Sequence, residues 1–283
     1  MDLPLPSLCP CCIPGVAVPL ITTALAILLT LRSTSLGKRS ALVSFLLKLV
    51  ACLALLSALL LSALGSSQAL RNKFFSSLCL LLSRPGPLDA HRCPLVQRAA
   101  GKVLEIGPGP GTNFRCFAAD PDAAAAIASY VGVEPNPEFG ASLRRSAAEH
   151  DLPFPISTTW LTAELGIDAP PGSFDTVIST HVLCSVQDPG RVLENIREVL
   201  RPGGTFLFME HVLAPPGSAA RLLQQIAGPS FKILADGCQF RDLWGEIEGA
   251  LGDEFEFGGV EQFDAPMPLP MFVPHVKGWA RKR

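Results

Sequence analysis

The stretch Val103-Leu104-Glu105-Ile106-Gly107-Pro108-Gly109-Pro110-Gly111-Thr112-Asn113-Phe114 decides the fold of this 283-residue chain. Three apolar residues around Glu105 predict a short buried strand. The alternate glycines after it predict a turn, because glycine accepts a positive φ and lets the backbone lie against a ligand. A helix that begins near Thr112 would direct free N–H groups at that ligand. This arrangement is typical of an α/β sheet that binds a nucleotide where its first strand ends.

The third glycine of the turn indicates which nucleotide is bound. A dinucleotide-binding fingerprint requires glycine at position 112, where this chain has Thr112. The observed spacing is instead that of class I enzymes that use S-adenosylmethionine (SAM). The next predicted strand, residues 130–134, ends in Glu134, and a carboxylate there can accept hydrogen bonds from both ribose hydroxyls. The glycines alone also fit a tight strand-to-helix turn, but together with Glu134 they favour a SAM site.

The charges divide the chain into two parts. Residues 1–85 contain seven of its 23 basic residues and one of its 25 acidic residues. Residues 86–283 therefore contain 16 basic and 24 acidic residues. A domain of net negative charge argues against a nucleic-acid substrate, because basic residues would have to bind the phosphates. We therefore expect a basic, apolar front part and an acidic, soluble catalytic part.

Two apolar runs predict that the front part is a helical membrane anchor. Residues 16–31 contain no charge, and residues 41–64 contain only Lys48. About 20 apolar residues cross a bilayer core, so the second run is long enough and the first is short. A cleaved signal peptide is the alternative for the first run, but the basic segment that should precede it is missing. A third run, residues 74–82, is too short to span and is expected to lie along the interface or to pack on the domain.

The domain boundary and the orientation follow from the flanking residues. Residues 83–88 are rich in proline and glycine, so we predict an anchoring region over 1–85 and a catalytic domain over 86–283. Basic residues flank the second apolar run on both sides, and the positive-inside rule cannot place both ends in the cytosol if the run spans fully. A hairpin within one leaflet would satisfy both sets of charges and keep the SAM site in the cytosol, where SAM is made. The sequence leaves these two topologies open.

The nine cysteines predict neither a disulfide framework nor a metal site. Cys9, Cys11 and Cys12 lie too close together for a tetrahedral zinc site, and no partner pair follows at finger spacing. The other cysteines are scattered, which suits a reducing compartment.

The remaining elements are predicted from periodicity and capping residues. An alanine-rich helix is expected over residues 122–129, and Asn136 is expected to cap a helix over residues 137–150. Residues 154–160 predict a weak third strand, after which Ala163 and Glu164 are placed to contact the adenine. Glu164 fits the exocyclic amine and fits the start of a surface helix equally well.

Two histidines follow the later strands. Residues 174–180 predict a β-branched strand, with His181 directly after it. A turn over residues 201–204 is predicted to lead into a strand that ends at His211. Ligands bind at the carboxyl ends of parallel strands, so this rule selects both histidines, and an imidazole is a suitable base at cellular pH. We take His211 as the first candidate for the catalytic base and His181 as the second; a structural role for either is the alternative. The predicted cofactor contacts are Glu105, Gly107, Gly109, Gly111, Glu134, Asn136, Ala163, Glu164 and Thr180.

Seven segments in this order carry a family resemblance: residues 103–114, 133–137, 182–186 (Val-Leu-Cys-Ser-Val), 199–204, 208–212 (Phe-Met-Glu-His-Val), 236–238 (Asp-Gly-Cys) and 274–275. Together they resemble the methyltransferase-like protein 7 family, which consists of membrane-bound enzymes that methylate alkyl thiols from SAM. The resemblance spans residues 101–280. It implies a seven-stranded Rossmann-like class I sheet, SAM as the sole cofactor, and residence on the endoplasmic reticulum or lipid droplets.

The expected activity is methyl transfer from SAM to a small lipophilic acceptor that partitions from the bilayer. An alkyl thiol suits this chemistry because its thiolate forms near neutral pH and is strongly nucleophilic. A quinone, a phenol or a lipid headgroup is the nearest alternative, since the fold does not fix the substrate. A non-catalytic membrane protein that retains the SAM fold is the alternative of a different class.

Overall fold

A seven-stranded sheet forms the centre of the computed structural model, which describes residues 40–283. Its strands are β1 (Gly101–Ile106), β2 (Ile127–Val133), β3 (Ile156–Thr159), β4 (Phe174–Thr180), β5 (Leu200–His211), β6 (Phe255–Asp264) and β7 (Pro274–Lys282). The spatial order is β3-β2-β1-β4-β5-β7-β6. Strands β1 to β5 are parallel, whereas β7 runs antiparallel to β5 and to β6. The predicted α/β fold with a seven-stranded Rossmann-like sheet is therefore confirmed.

Nine helices accompany the sheet within the described part of the chain. They are α1 (Ser40–Ser66), α2 (Gln68–Leu82), α3 (Asp89–Val96), α4 (Phe114–Ala118), α5 (Pro121–Ala125), α6 (Gly140–His150), α7 (Pro189–Val199), α8 (Ala219–Leu234) and α9 (Leu243–Leu251). Short 3₁₀ turns cover Pro137–Phe139, Ala163–Leu165, Gly252–Glu254 and Pro270–Phe272.

Both faces of the central strands are buried. On β1, Val103 packs into one core cluster while its neighbour Leu104 packs into the other. Strand β5 alternates in the same way, with Phe206 on one side and Leu207 on the other. Side chains alternate along a strand, so a sheet covered on both faces requires continuous apolar runs such as these.

The helix predicted over residues 122–129 is wrong in its second half. Helix α5 ends at Ala125, and residues 127–129 belong to β2. Ile127 pairs with Gly101, so pairing with β1 outweighs the helix propensity of the alanines. The turn predicted over residues 201–204 is instead an irregularity inside β5, where the register with β4 shifts.

Helix α1 contains the second apolar run. Its segment Lys48–Ser66 has a mean hydropathy of 2.3, with 17% of the segment buried, and could cross a membrane by length and composition alone. Helix α2 follows after Ser67, whose side chain caps it by accepting a hydrogen bond from the backbone N–H of Leu70. The first apolar run, residues 16–31, lies outside the described residues.

Candidate cofactor and acceptor site

The three glycines of the loop after β1 have different surroundings. All three have positive φ, at 60° for Gly107, 55° for Gly109 and 85° for Gly111. A Cβ on Gly107 would lie 2.6 Å from Val182, and one on Gly111 would lie 2.8 Å from Phe114. A Cβ on Gly109 would meet no protein atom within 4 Å. Gly107 and Gly111 therefore permit close packing, whereas Gly109 faces open space that a cofactor can occupy.

Glu134 ties the end of β2 to this loop. Its Oε2 atom accepts a hydrogen bond from the backbone N–H of Gly109 at 3.0 Å, and its Oε1 atom accepts one from Asn136 at 2.9 Å. Burial raises the pKa of the Glu134 carboxyl to about 7, although the two hydrogen bonds oppose this shift. The side chain of Asn136 caps the turn at Pro137–Phe139, as predicted, by accepting from the N–H of Glu138.

A buried polar network lies beneath the loop. Asn113 donates from Nδ2 to Glu105 at 2.9 Å and to the Thr180 hydroxyl at 3.1 Å, and the Tyr130 hydroxyl donates to Glu105 at 2.7 Å. Burial raises the pKa of Glu105 to about 7 against these hydrogen bonds. The Oδ1 atom of Asn113 is buried and has no partner among the described residues. Asn113 is thus a candidate cofactor contact that the sequence analysis missed.

The predicted adenine contacts lie on the 3₁₀ turn Ala163–Leu165. Ala163 is buried, and its carbonyl accepts a hydrogen bond from Asn195. Glu164 uses Oε1 to accept from the backbone N–H groups of Gln187 and Asp188, just before α7. Both residues remain predicted cofactor contacts. The hydrogen bonds that Glu164 accepts from Gln187 and Asp188 also give it a structural role before α7.

His181 is partly buried and lies beside the buried imidazoles of His211 and His275. It has a positive φ of 60°, and its Nε2 lies 3.0 Å from Nε2 of His275. Burial lowers the pKa of His181 well below its usual value and that of His275 to about 4. The Nδ1 atom of His275 lies 3.1 Å from the carbonyl of Val273, and Nδ1 of His181 lies 3.5 Å from Arg92. Both nitrogens of His181 are therefore engaged, which makes it a poor proton acceptor.

His211 meets two cysteines that the sequence analysis left unassigned. Its Nε2 lies 2.8 Å from Sγ of Cys238, and that sulfur lies 3.2 Å from Sγ of Cys184. Cys184 directly follows Val182 and Leu183, whose backbone N–H groups donate hydrogen bonds to Glu210. Because Val182 also packs on Gly107, this thiol and imidazole cluster adjoins the glycine loop. Its members come from three separate segments, so no local spacing could reveal it.

Aromatic rings flank the cluster on one side. The ring of Phe240 lies 5.3 Å from that of His211 and stacks on Phe231 at 5.5 Å, measured between centroids. Phe272 lies 4.9 Å from Phe231. A separate cavity of about 610 Å³ borders this region through Val212 and His275, and its wall also contains charged side chains, those of Arg221, Asp242 and Asp264. The aromatic rings supply the apolar surface next to the polar groups of the cluster.

Helix α2 packs across the site through its first half, and of the segment 74–82, which was expected to lie along the interface or to pack on the domain, Phe75 takes part in this packing while residues 80–82 are exposed. Arg71 forms a salt bridge with Asp236 at 3.3 Å, two residues before Cys238. The carbonyl of Asn72 accepts a hydrogen bond from Asn136 at 3.1 Å, and Phe75 contacts Phe139 edge to face. The polar face of α2 at positions 68, 71 and 72 is the sequence signal that could have predicted this contact.

One disulfide contradicts the expectation that the cysteines are unpaired. Cys93 on α3 and Cys116 on α4 are bonded, with 4.8 Å between their Cα atoms. The two helices pack side by side, so residues 23 positions apart meet without any repeated spacing. No pattern in the sequence indicates this tertiary contact.

Comparison with known proteins identifies the domain. A family model described as a methyltransferase domain matches residues 86–243. The chain is 34% identical over 258 residues to human thiol S-methyltransferase TMT1B, a match that covers 84% of this chain and 98% of that protein. It is 34% identical to human thiol S-methyltransferase TMT1A, over 64% of this chain and 70% of that protein.

Solved structures agree on the fold. The YcgJ protein of Bacillus subtilis has a TM-score of 0.54 at 15% identity, covering 69% of this chain and 99% of its own. A geranyl diphosphate methyltransferase in complex with sinefungin and its substrate has a TM-score of 0.52 at 14% identity, covering 69% and 78%. At these identities the likeness concerns the fold alone.

Proposed function

This chain belongs to the SAM-dependent methyltransferases, in the family that includes the human thiol S-methyltransferases, and from that premise we propose that it methylates a small lipophilic thiol. The observation that carries the proposal is the contact of Val182 with Gly107, which sets the cluster of Cys184, His211 and Cys238 beside the cofactor loop. The names of the relatives at 34% identity support a thiol as the acceptor.

The loop and its neighbours fit SAM. Gly109 leaves space for the cofactor, Glu134 supplies a carboxylate for the ribose hydroxyls, and the unpaired Oδ1 of Asn113 offers one more acceptor. SAM supplies a methyl group that is already activated by its positively charged sulfur. The contribution of the chain is then to align the acceptor and to favour its thiolate form.

We assign the second task to His211 in preference to His181. His211 ends β5 at the ligand-bearing edge of the sheet and touches sulfur at 2.8 Å. His181 is bonded to His275 through its Nε2 atom, and its pKa is lowered well below the usual value, mainly by burial. The aromatic rings of Phe231, Phe240 and Phe272 supply the apolar wall for the rest of the acceptor.

Residues 1–85 are proposed to anchor the protein in a membrane of the endoplasmic reticulum or of lipid droplets. Support comes from the apolar segment Lys48–Ser66 in α1, which leaves many leucines exposed. Alkaline carbonate should leave the full-length protein in the membrane pellet; release by carbonate or by high salt would contradict the anchor. The catalytic domain, residues 86–283, is proposed to follow α2, which also packs on it.

The catalytic domain is proposed to face the cytosol, where SAM is made. The Cys93–Cys116 disulfide opposes this orientation, because disulfides persist mainly outside the cytosol. Protease added to intact microsomes should digest residues 86–283 if the domain is cytosolic. Protection of these residues until detergent is added would place the domain in the lumen.

A panel of acceptors tests the proposed reaction against its alternatives. Membranes that contain the protein are incubated with methyl-labelled SAM and with alkyl thiols, phenols, quinones or phosphatidylethanolamine. The proposal expects label in the thioether of a lipophilic thiol. Label only in a phenol, a quinone or a lipid would retain the SAM assignment and reject the thiol.

A further inference from the structure

Three side chains of metal-binding type from separate segments meet beside the glycine loop. Cys184 follows β4, His211 ends β5, and Cys238 follows α8. One candidate ligand atom from each residue lies within 4.8 Å of the other two. A zinc ion with bonds of about 2.0–2.3 Å holds its tetrahedral ligand atoms roughly 3.3–3.8 Å apart. The observed separations of 2.8 Å and 3.2 Å lie just below this size, so a small adjustment would admit an ion.

The donor set selects the ion and its role. Two thiols and an imidazole are soft donors, which prefer zinc over magnesium or calcium. Among residues 40–283, no fourth His, Cys, Asp or Glu side chain joins this group. Zinc sites that keep three protein ligands, including two cysteines with one histidine, leave the fourth position open for a reactant.

We propose that Cys184, His211 and Cys238 bind a zinc ion whose fourth position takes the sulfur of the acceptor, an inference that rests on the proposed thiol methylation. No metal site was predicted from the sequence, because Cys9, Cys11 and Cys12 lie too close together for one and Cys184 and Cys238 are among the scattered cysteines. His211 then favours the thiolate form of the acceptor by binding the zinc ion. The ion stabilises the negative charge on the acceptor sulfur.

Burial is compatible with a charged ion at this place. Cys184, Cys238 and His211 are 1%, 5% and 7% exposed. Two thiolates offset the double positive charge of zinc, so the loaded site is neutral before the acceptor arrives and the cost of burying charge is small. The neighbouring Glu210 does not compete for the ion through Oε1, since that atom accepts hydrogen bonds from Ser179, Val182 and Leu183.

The reaction balances without any change of oxidation state. The acceptor thiol releases its proton to the buffer when its sulfur binds the metal, because a coordinated thiol is deprotonated. The thiolate sulfur then forms a bond to the methyl carbon. The electron pair of the broken carbon–sulfur bond stays on the sulfur of the demethylated product. The thioether carries no charge and is a weaker ligand than the thiolate, so it can leave.

Metal content measured on the full-length protein in detergent tests the site without an activity assay. Protein purified under reducing conditions is equilibrated with buffered zinc and analysed by mass spectrometry of the elements. We expect about one zinc ion per chain. Replacement by cobalt should produce the intense absorption that thiolate ligands give to this ion. A folded, SAM-binding wild-type protein with no bound zinc would overturn the proposal.

Variants locate the ion. Cys184→Ser and Cys238→Ser should each weaken zinc binding by roughly tenfold or more, since even changes outside the ligand set cost that much. Cys52→Ser is the matched control, because Cys52 is an exposed free cysteine on α1. SAM binding shows whether each variant is folded. Unchanged zinc content in both site variants would overturn the proposal. If the two variants do not fold, absence of thiolate absorption in the cobalt-substituted wild-type protein would overturn it instead.

The outcomes separate this inference from the function on which it rests. Zinc bound at these residues in a protein that methylates no thiol would reject the thiol function and the role of the fourth position. Thiol methylation that survives complete removal of zinc by a chelator would reject the zinc site and retain the function. Methylation lost on chelation and restored by zinc, with SAM affinity unchanged, would support both.

Discussion

The Oε2 atom of Glu134 lies 3.0 Å from the backbone nitrogen of Gly109 and accepts its hydrogen bond. This contact joins the end of β2 to the one loop glycine whose missing side chain leaves open space. The carboxylate that we propose for the ribose and the loop that we propose for the cofactor are thus positioned by each other.

Glu134→Ala should weaken SAM binding at least tenfold, because hydrogen bonds to a charged group contribute roughly 1.5–3 kcal/mol each. Glu138→Ala is the control, since Glu138 is exposed four residues further on and its backbone N–H, which donates to Asn136, is retained in the variant. Titration calorimetry measures both variants. Equal affinities in the two variants would remove Glu134 from the site.

Gly109→Ala should lose SAM affinity through the methyl group that enters the open space. It also strains the backbone by roughly 1–2 kcal/mol, because φ is positive there. Gly217→Ala carries the same strain at a φ of 78° and also meets no atom within 4 Å, but it lies in the turn before α8. Similar melting temperatures with a loss of affinity only in Gly109→Ala are expected. A loss of affinity in both variants would indicate a general effect of strain.

SAM affinity should depend on pH through Glu134. Burial raises its pKa to about 7, and only the ionised carboxylate accepts freely from both ribose hydroxyls. Affinity should therefore be highest above pH 8 and fall below pH 7, approaching about tenfold per pH unit if only the ionised form binds. Glu134→Gln removes this titration, whereas any titration of SAM itself is common to both proteins. Parallel pH profiles of wild type and Glu134→Gln would contradict the assignment.

His211→Ala should reduce methylation most at neutral pH and least near the pKa of the acceptor thiol, about 8.5 for an ordinary thiol. The reason is that help with the thiolate matters only while the acceptor is protonated. SAM affinity should hardly change, and His150→Ala should match the wild type because His150 bonds Ser146 within α6. Rates measured from pH 6.5 to 9.5 decide this. A loss that is equal at every pH would assign His211 to positioning and make His181 the better candidate.

The sequence predicted the parts that depend on local patterns. The strand over residues 174–180 was located to the residue, because a β-branched apolar run bounded by glycine has few alternatives. The turn of the glycine loop followed from a fixed spacing along one strand-turn-helix unit, and Glu134 was proposed from its place at the end of the next strand. Asn136 as a cap followed from the preference of asparagine for that position.

The parts that the sequence missed arise from tertiary contacts. Residues 127–129 look helical until their pairing with β1 is known. The cluster of Cys184, His211 and Cys238 is assembled by the segments after β4, at the end of β5 and after α8, and neighbouring members are 27 positions apart in the chain. The same holds for Arg71 and Asp236, which are 165 residues apart. No window of sequence contains such pairs.

Transfer of label from methyl-labelled SAM to a small lipophilic thiol tests the central claim most directly. The assay uses full-length protein in membranes, identifies the product by mass spectrometry, and runs Glu134→Ala and Glu138→Ala in parallel. The account predicts a labelled thioether with the wild type and with Glu138→Ala, and at subsaturating SAM a rate at least tenfold lower with Glu134→Ala. A wild-type protein that binds SAM but forms no labelled thioether from any thiol, while it labels a phenol, a quinone or a lipid, would contradict it.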